Sequence, residues 1–308
     1  MDSIKVFAPG TVANVACGFD VIGLALNAPG DEMIVKRSDT PGIRISAIHG
    51  ADLPLDPAKN VAGVAIQALL QKYEATKVGF DVEIFKNIHP GSGIGSSAAS
   101  SAGAVVAVNQ LLGEPFTRKQ LVRFAMEGER LASGAAHADN VAPAILGGFT
   151  LVRSYRPLDI TTIHTPKDLW VTVIHPQIEV KTSDAREILK QKILMTDAIK
   201  QWGNVAALVA GLYQENYDLI SRSLEDVIVE PIRSILIPAF HELKLKCKEA
   251  GALGGGISGS GPSVFMLSQG EENARKVAAT MNDVYAPLGV DYKIYVSQIN
   301  TEGVKVIG

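Results

Sequence analysis

Two periods run through this chain. Over Gly79–Phe85 (GFDVEIF) apolar and polar residues alternate one by one, the pattern of a strand with one buried face. Over Lys59–Tyr73 the apolar residues Val61, Val64, Ala65, Ala68 and Leu69 recur three and four apart, the pattern of a helix, with Asp56-Pro57 in its entry turn. By the same criteria strands are predicted at 4–8, 32–37, 149–153, 170–174, 264–267 and 292–296. A Gly-rich segment, APGTVANVACGFDVIGLALNAPGD, separates the first two. Helices are predicted from the glycine loop HPGSGIGSSAAS to about Leu112, from the Thr117 cap to about Leu131, over His137–Leu146, at 183–190, 196–214 and 231–249, and from Glu271 to Tyr285. Gly113-Glu114-Pro115 breaks the chain between two of these helices, and a second glycine loop, GALGGGISGSGPS, follows residue 249. Strands and helices mix without a regular βαβ repeat, which predicts an α+β fold. The polar, proline-containing stretch 154–168 is read as a junction between two domains, 1–155 and 156–308.

The bulk numbers narrow the partners. The 308 residues are 47% hydrophobic and 20% charged, the profile of a globular chain with a large core, and only 6% aromatic, so that core is aliphatic and alanine-rich. A formal net charge of −3 argues against a nucleic-acid partner. Two widely separated cysteines, Cys17 and Cys247, argue against a disulfide scaffold and for a reducing, cytoplasmic location. Both read as small buried hydrophobes, although Cys17 lies among candidate functional residues. MDSIKVFAPG has no basic segment followed by an apolar one, so no signal peptide is expected. Pro90–Gly113 carries no Asp, Glu, Lys or Arg, but its first half is Gly and Ser. A buried helix is expected there and no membrane span.

The loop at 89–100 has to be tested against its rivals. A dinucleotide fingerprint wants G-x-G-x-x-G, and here Ser96 stands where the third glycine belongs. A Walker A loop wants Gly-Lys-Ser/Thr, and Gly95 is followed by Ser96-Ser97. No serine has the G-x-S-x-G frame. What remains still points to an anion. Glycines let backbone N–H groups converge without a Cβ in the way, and the following helix offers its unpaired N–H groups and positive dipole end. Two hydroxyls add donors to phosphate or hard ligands to Mg²⁺. Backbone binding of this kind needs no lysine in the turn.

Three separated segments resemble one family. PGSGIGSSAAS (90–100) is similar to the phosphate loop of the GHMP kinases, APGTVANVACGFDVIGLAL (8–26) to their first motif and GGGISGSGPSVF (254–265) to their third. The frame from Glu129 through His137-Ala-Asp-Asn140 to Pro143, with EPIRSILIPAF (230–240), resembles the branch that acts on homoserine. The resemblance implies two α+β domains, the first like domain 2 of ribosomal protein S5 and the second ferredoxin-like, with ATP between them. It implies Mg²⁺-dependent transfer of the ATP γ-phosphoryl to the side-chain hydroxyl of L-homoserine, for threonine biosynthesis. The substrates would be small molecules, with a homodimer as the possible assembly. Rival readings are a GHMP kinase for mevalonate, a sugar or shikimate, and a catalytically silent GHMP-fold binding protein. A nucleotide-dependent oxidoreductase is disfavoured by the loop spacing.

Site residues follow from that resemblance. Pro90, Gly91, Ser92, Gly93, Ile94, Gly95, Ser96 and Ser97 would hold the ATP phosphates, and Ser97 and Glu129 the metal. Glu127 competes with Glu129 but lies on another helix face. Asn60 resembles a position near the adenine, and an Asn there is equally an ordinary helix cap. Arg186 and Arg233 would take the amino-acid carboxylate, a guanidinium being the bidentate partner a carboxylate favours. Asn14 and Asp20 would take the ammonium. His137, Gly259 and Ser260 would line the pocket, and Thr182 would stand near the γ-phosphate. Asn140 occupies the frame in which mevalonate kinase-like relatives carry an Asp base. An amide removes no proton, and Asp139, one residue earlier, is expected to point elsewhere. Transfer without a strong protein base is therefore expected, carried by positioning and charge neutralisation.

Overall fold

A computed structural model describes residues 2–74, 77–178, 180, 182–190 and 192–308, the side chains of 182–184 excepted. The first half contains β1 (Ser3–Ala13), β2 (Ile22–Ser38), β3 (Gly42–His49), α1 (Val61–Tyr73), β4 (Gly79–Phe85), α2 (Ser96–Leu111), α3 (Arg118–Ser133), α4 (Val141–Leu146), β5 (Phe149–Tyr155) and β6 (Leu158–Ile163). The second contains β7 (Leu169–Pro176), α5 (Thr182–Glu187), α6 (Met195–Gln214), α7 (Tyr217–Ser223), α8 (Glu230–Arg233), α9 (Phe240–Glu249), β8 (Ala252–Ile257), β9 (Val264–Gln269), α10 (Glu271–Tyr285), β10 (Tyr292–Gln298) and β11 (Lys305–Val306).

The first sheet has the order β11-β1-β2-β4-β3, with β5 on the other end of β2 and β6 on β5. Only β3 and β4 pair in parallel among the described strands. Strand β2 is long because it serves two partners, β4 through Glu32–Ser38 and β5 through Ile22–Leu24. The expected junction at 155 is corrected here: β6 continues the first sheet as far as Ile163, and the chain returns at its end, as β11, to pair with β1. The polar stretch holds the hairpin turn at Arg156-Pro157 and strand β6 itself, and a hairpin tip needs polar and proline residues as much as a linker does.

The second sheet has the order β10-β7-β9-β8, all pairs antiparallel, the arrangement of a ferredoxin-like βαββαβ unit. Helices α9 and α10 cover one face through Phe240, Leu243, Cys247, Val277, Met281 and Tyr285. The other face, with Val171, Val173, Phe265 and Leu267, joins the core of the first sheet. Both glycine loops are thereby brought to the seam between the lobes. Strand β8 was expected as part of a loop, because ALGGGI has no apolar alternation. The expected helix 231–249 is two, α8 and α9, parted around Pro238, where proline cannot continue a helix.

Helix α2 is buried along almost its whole length, as its lack of charge requires. No described helix is long and apolar enough to cross a membrane. Helix α3 starts with a reciprocal capping box between Thr117 and Gln120. Its buried face runs Leu121, Val122, Ala125, Met126 and then Glu129, so the helix period carries one carboxylate inward.

Candidate active site

A cavity of about 520 Å³ opens between the lobes, bordered by Pro90, Gly91, Gly93, Gly95, Ser96 and Ser97 on one side. That size suits a small-molecule site. Gly95 precedes α2 in a left-handed conformation (φ 67°), and no side chain caps the helix. The first amides of α2 are thus left to the cavity. A Cβ on Gly95 would stand 2.0 Å from the Thr11 hydroxyl, and one on Gly93 2.6 Å from the Ser258 carbonyl oxygen. These glycines let the loop run between β1 and the turn of the second lobe, where the Ser258 hydroxyl donates to the Gly93 carbonyl at 2.7 Å. Ser92 and Ile94 do not border the cavity. The Ser92 hydroxyl is buried and accepts from the Ile94 N–H, while Ile94 packs into the core.

Behind the loop sit buried carboxylates and a lysine. Glu129 is buried beside Ser97, and its Oε1 has no hydrogen-bond partner among the described residues. Burial pushes its carboxyl up to about 7, against the Ser97 hydroxyl and the Lys86 charge. Glu127, the competing carboxylate, is instead tied to Arg130 on the outer surface at 2.9 Å. The buried Lys86 ammonium binds Asp31 and donates to the Ser96 carbonyl and the Ser100 hydroxyl, each at 2.9 Å. The turn has no cation of its own, but one stands beneath it, supplied from the end of β4. Asp139 also borders the cavity, and burial, with Asp20 and Glu129 nearby, pushes its carboxyl up to about 7. Asn140 borders the cavity and accepts the Thr11 hydroxyl on its Oδ1 at 2.7 Å.

The far end of the cavity is charged. Arg186 grips Asp20 with both terminal nitrogens, at 3.1 and 2.9 Å. His137 Nδ1 lies 3.7 Å from the same carboxylate, and burial holds its ring below the usual histidine range. Arg233 is buried, donating to the carbonyls of Ala185 (2.7 Å) and Gly259 (3.3 Å), and burial followed by Arg186 pushes it down to about 10. Both guanidiniums lie over the Phe19 ring, at 5.6 and 5.2 Å from its centre. Gly259 and Ser260 close the cavity from the second lobe.

Residues 60–148 match the family described as GHMP kinases N terminal domain, and residues 204–287 match GHMP kinases C terminal. The homoserine kinase of Chlorobaculum tepidum is 47% identical over 100% of this chain and 99% of that protein. This chain belongs to the GHMP kinases. Its similarity to the homoserine kinase of Xylella fastidiosa (strain M12) is 38%, over 98% of this chain and 94% of the other. The crystal structure of homoserine kinase from Cytophaga hutchinsonii superposes with a TM-score of 0.96 at 50% identity, covering 100% of this chain and 98% of that one. A crystal structure of L. major mevalonate kinase in complex with R-mevalonate shares the fold at a TM-score of 0.72 and 18% identity, over 96% of each chain.

In this GHMP kinase two further sequence assignments, Asn60 and Asn14, sit differently from expectation. Asn60 does not border the cavity. Its Oδ1 caps α1 through the Ala62 N–H and its Nδ2 donates to the Pro54 carbonyl, so the whole amide serves the helix start. Asn14 borders the cavity, yet its amide is engaged at both ends, with the Gly259 carbonyl and the Asp20 N–H. Thr182 opens α5, and its side chain lies outside the described residues. Cys17 is buried and does not border the cavity, with burial pushing its thiol up to about 12. Lys86 escaped the sequence reading because a lysine ending an alternating strand looks solvated. Its partner Asp31 lies 55 positions away.

Proposed function

We propose that this GHMP kinase transfers the γ-phosphoryl of ATP to the side-chain hydroxyl of L-homoserine, giving O-phospho-L-homoserine for threonine biosynthesis. The observation that carries the substrate is the charge pattern at the far end of the cavity. Among the described residues Arg233 donates only to backbone carbonyls, which leaves its positive charge for a carboxylate. Asp20 offers a carboxylate for an ammonium. A zwitterion with a terminal hydroxyl fits such an end better than mevalonate, a sugar or shikimate, none of which has an ammonium. The names of the most similar relatives support the same acceptor.

The nucleotide's phosphates are assigned to Gly91, Gly93, Gly95 and Ser96 and the first amides of α2, with Lys86 adding positive charge from below. The unpartnered Oε1 of buried Glu129, beside the Ser97 hydroxyl, fits a hard cation. Among the described residues no cluster of three or more His, Cys, Asp or Glu side chains forms a complete cage. Mg²⁺ is ordinarily held by one or two protein oxygens plus phosphate and water. When bound, it would supply charge neutralisation for the phosphoryl group in flight. Asn140, held by Thr11, positions the acceptor hydroxyl by hydrogen bonding.

The test is ADP release with L-homoserine against 4-hydroxybutyrate, which keeps the hydroxyl and carboxylate but lacks the ammonium. Homoserine should be preferred by about 10²-fold or more in kcat/KM, the scale of leaving a buried charge unpaired. Equal rates on both would remove the zwitterion reading.

A further inference from the structure

Helix α6 contributes no residue to the cavity among those described, yet one buried side chain on it is joined to both walls of the charged end. Gln201 Nε2 donates to the Cys17 carbonyl at 2.8 Å and to Asp226 Oδ1 at 3.0 Å. Gln201 Oε1 accepts the Val227 N–H at 3.0 Å. Asp226, equally buried, accepts three further backbone N–H groups, from Ile228 (2.9 Å), Val229 (3.0 Å) and Glu230 (2.9 Å). Those amides lead into α8, the single turn that carries Arg233. Arg233 reaches the Gly259 carbonyl, which also receives Asn14 Nδ2 at 2.8 Å, and Asn14 Oδ1 accepts the Asp20 N–H at 3.0 Å. The chain from Asn14 to Cys17 closes the circuit. Asn14, Asp226, Arg233 and Gly259 share the wall of a void of about 10 Å³ at its centre.

The segment this circuit holds is one that would not hold itself. Asn14, Val15 and Ala16 all have positive φ, at 71°, 42° and 58°, and Asp20 follows at 60°. Three successive non-glycine residues in the left-handed region, one of them β-branched, persist only where surrounding contacts over-determine them. The Cys17 carbonyl, next along the chain, is where Gln201 attaches.

We infer that Gln201 and Asp226 are positioning residues for the acceptor end of the site, joining the left-handed turn that presents Asp20 to the helical turn that presents Arg233. They touch neither substrate. They fix the separation between the group that takes the acceptor's ammonium and the group that takes its carboxylate. This rests on the acceptor reading proposed above.

The test is Gln201→Met, which keeps the side chain's length and removes both its donor and its acceptor. The homoserine KM should rise about tenfold or more, the scale of a small misplacement of binding groups. The ATP KM and kcat should stay within about twofold, because the glycine loop lies outside the circuit. Amide hydrogen exchange, measured on the substrate-free protein, should quicken at both 14–20 and 228–233 and nowhere along α2. A parallel rise in both KM values, or unchanged exchange in the two segments, overturns the inference. If the wild type fails to phosphorylate homoserine, the acceptor reading falls, while the exchange measurement still judges the coupling. Should Gln201→Met not fold, Gln201→Asn, which keeps the amide but shortens its reach by one methylene, carries the same measurements.

Discussion

Arg186 and Asp20 meet through two parallel hydrogen bonds, with His137 flanking the carboxylate and Phe19 under the guanidinium. An incoming ammonium must therefore share Asp20 with a cation already in place, and an incoming carboxylate must share Arg186 with an anion. Only a ligand bearing both charges compensates both partners. Asp20→Asn should lower kcat/KM for L-homoserine by about 10²-fold, as expected for removing one member of a desolvated charge pair. 4-Hydroxybutyrate, already a poor acceptor, should lose less than about threefold. Steady-state kinetics on both acceptors check this. An equal loss on both would mean that Asp20 serves only to orient Arg186.

Arg233 makes a different demand. Its Nε and Nη1 are directed to two carbonyls on different segments, Ala185 and Gly259, and its plane lies over Phe19. A lysine ammonium is a single point and cannot span both carbonyls while meeting a carboxylate. Arg233→Lys should raise the homoserine KM by about 30-fold or more and the ATP KM by less than about twofold. The check is to vary each substrate with the other saturating. Equal shifts in both constants would remove Arg233 from the carboxylate.

Some of this was legible in the chain and some was not, for physical reasons. The glycine loop was legible because its spacing leads directly into an uncharged Ala/Ser helix, a combination with few structural uses. Glu129 was chosen over Glu127 on the family frame, and the helix period of Leu121, Val122, Ala125 and Met126 leads to the same position. Lys86 and Asp31 were not, because each looks solvated until the fold pairs them across 55 residues. Asp139 was set aside on the rule that neighbours diverge, yet in the irregular entry to α4 both it and Asn140 border the cavity. Strand β8 was hidden because three of its residues are glycine. A Cβ on Gly255 would stand 1.9 Å from the Phe265 carbonyl oxygen, so packing there excludes the side chains from which a strand is read. Gln201 looked like one more polar residue on a surface helix.

Glu129 also predicts how stability varies with pH. Burial raises its carboxyl from 4.5 to about 7, so between those values the native state holds a proton that the unfolded chain has released. Stability due to this group is therefore full below pH 4.5, falls as pH rises, and levels off above 7. Glu129→Gln cannot ionise and escapes the loss. At pH 8, without nucleotide or metal, the variant should be more stable than the wild type by on the order of 3 kcal/mol, with the gap shrinking toward pH 5. Asp139, raised in the same way, leaves a residual slope in the variant. Urea denaturation at the two pH values checks this. Parallel stability curves would mean that Glu129 is solvated in the free protein. Activity should be abolished in the same variant if the carboxylate holds the metal.

Gly91 and Gly93 separate the loop's structural duty from its binding duty. Both have positive φ, 76° and 78°, so alanine carries a conformational penalty of about 1 kcal/mol at either. A Cβ on Gly91 meets nothing within 4 Å, whereas one on Gly93 would sit 2.6 and 2.7 Å from the carbonyl oxygens of Ser258 and Gly261. Gly91→Ala should fold with Tm lowered by only about 2–4 °C, since this chain is large and the strain small. Gly93→Ala must push the two lobes apart and should lose at least about twice that. If the nucleotide's phosphates lie against this loop, the added methyl of Gly91→Ala occupies their space. The ATP KM should then rise about tenfold or more while the homoserine KM holds. Calorimetry and steady-state kinetics on the two variants measure both effects. A Gly91→Ala enzyme with an ordinary ATP KM would place the phosphates elsewhere in the cleft and take the nucleotide site away from α2.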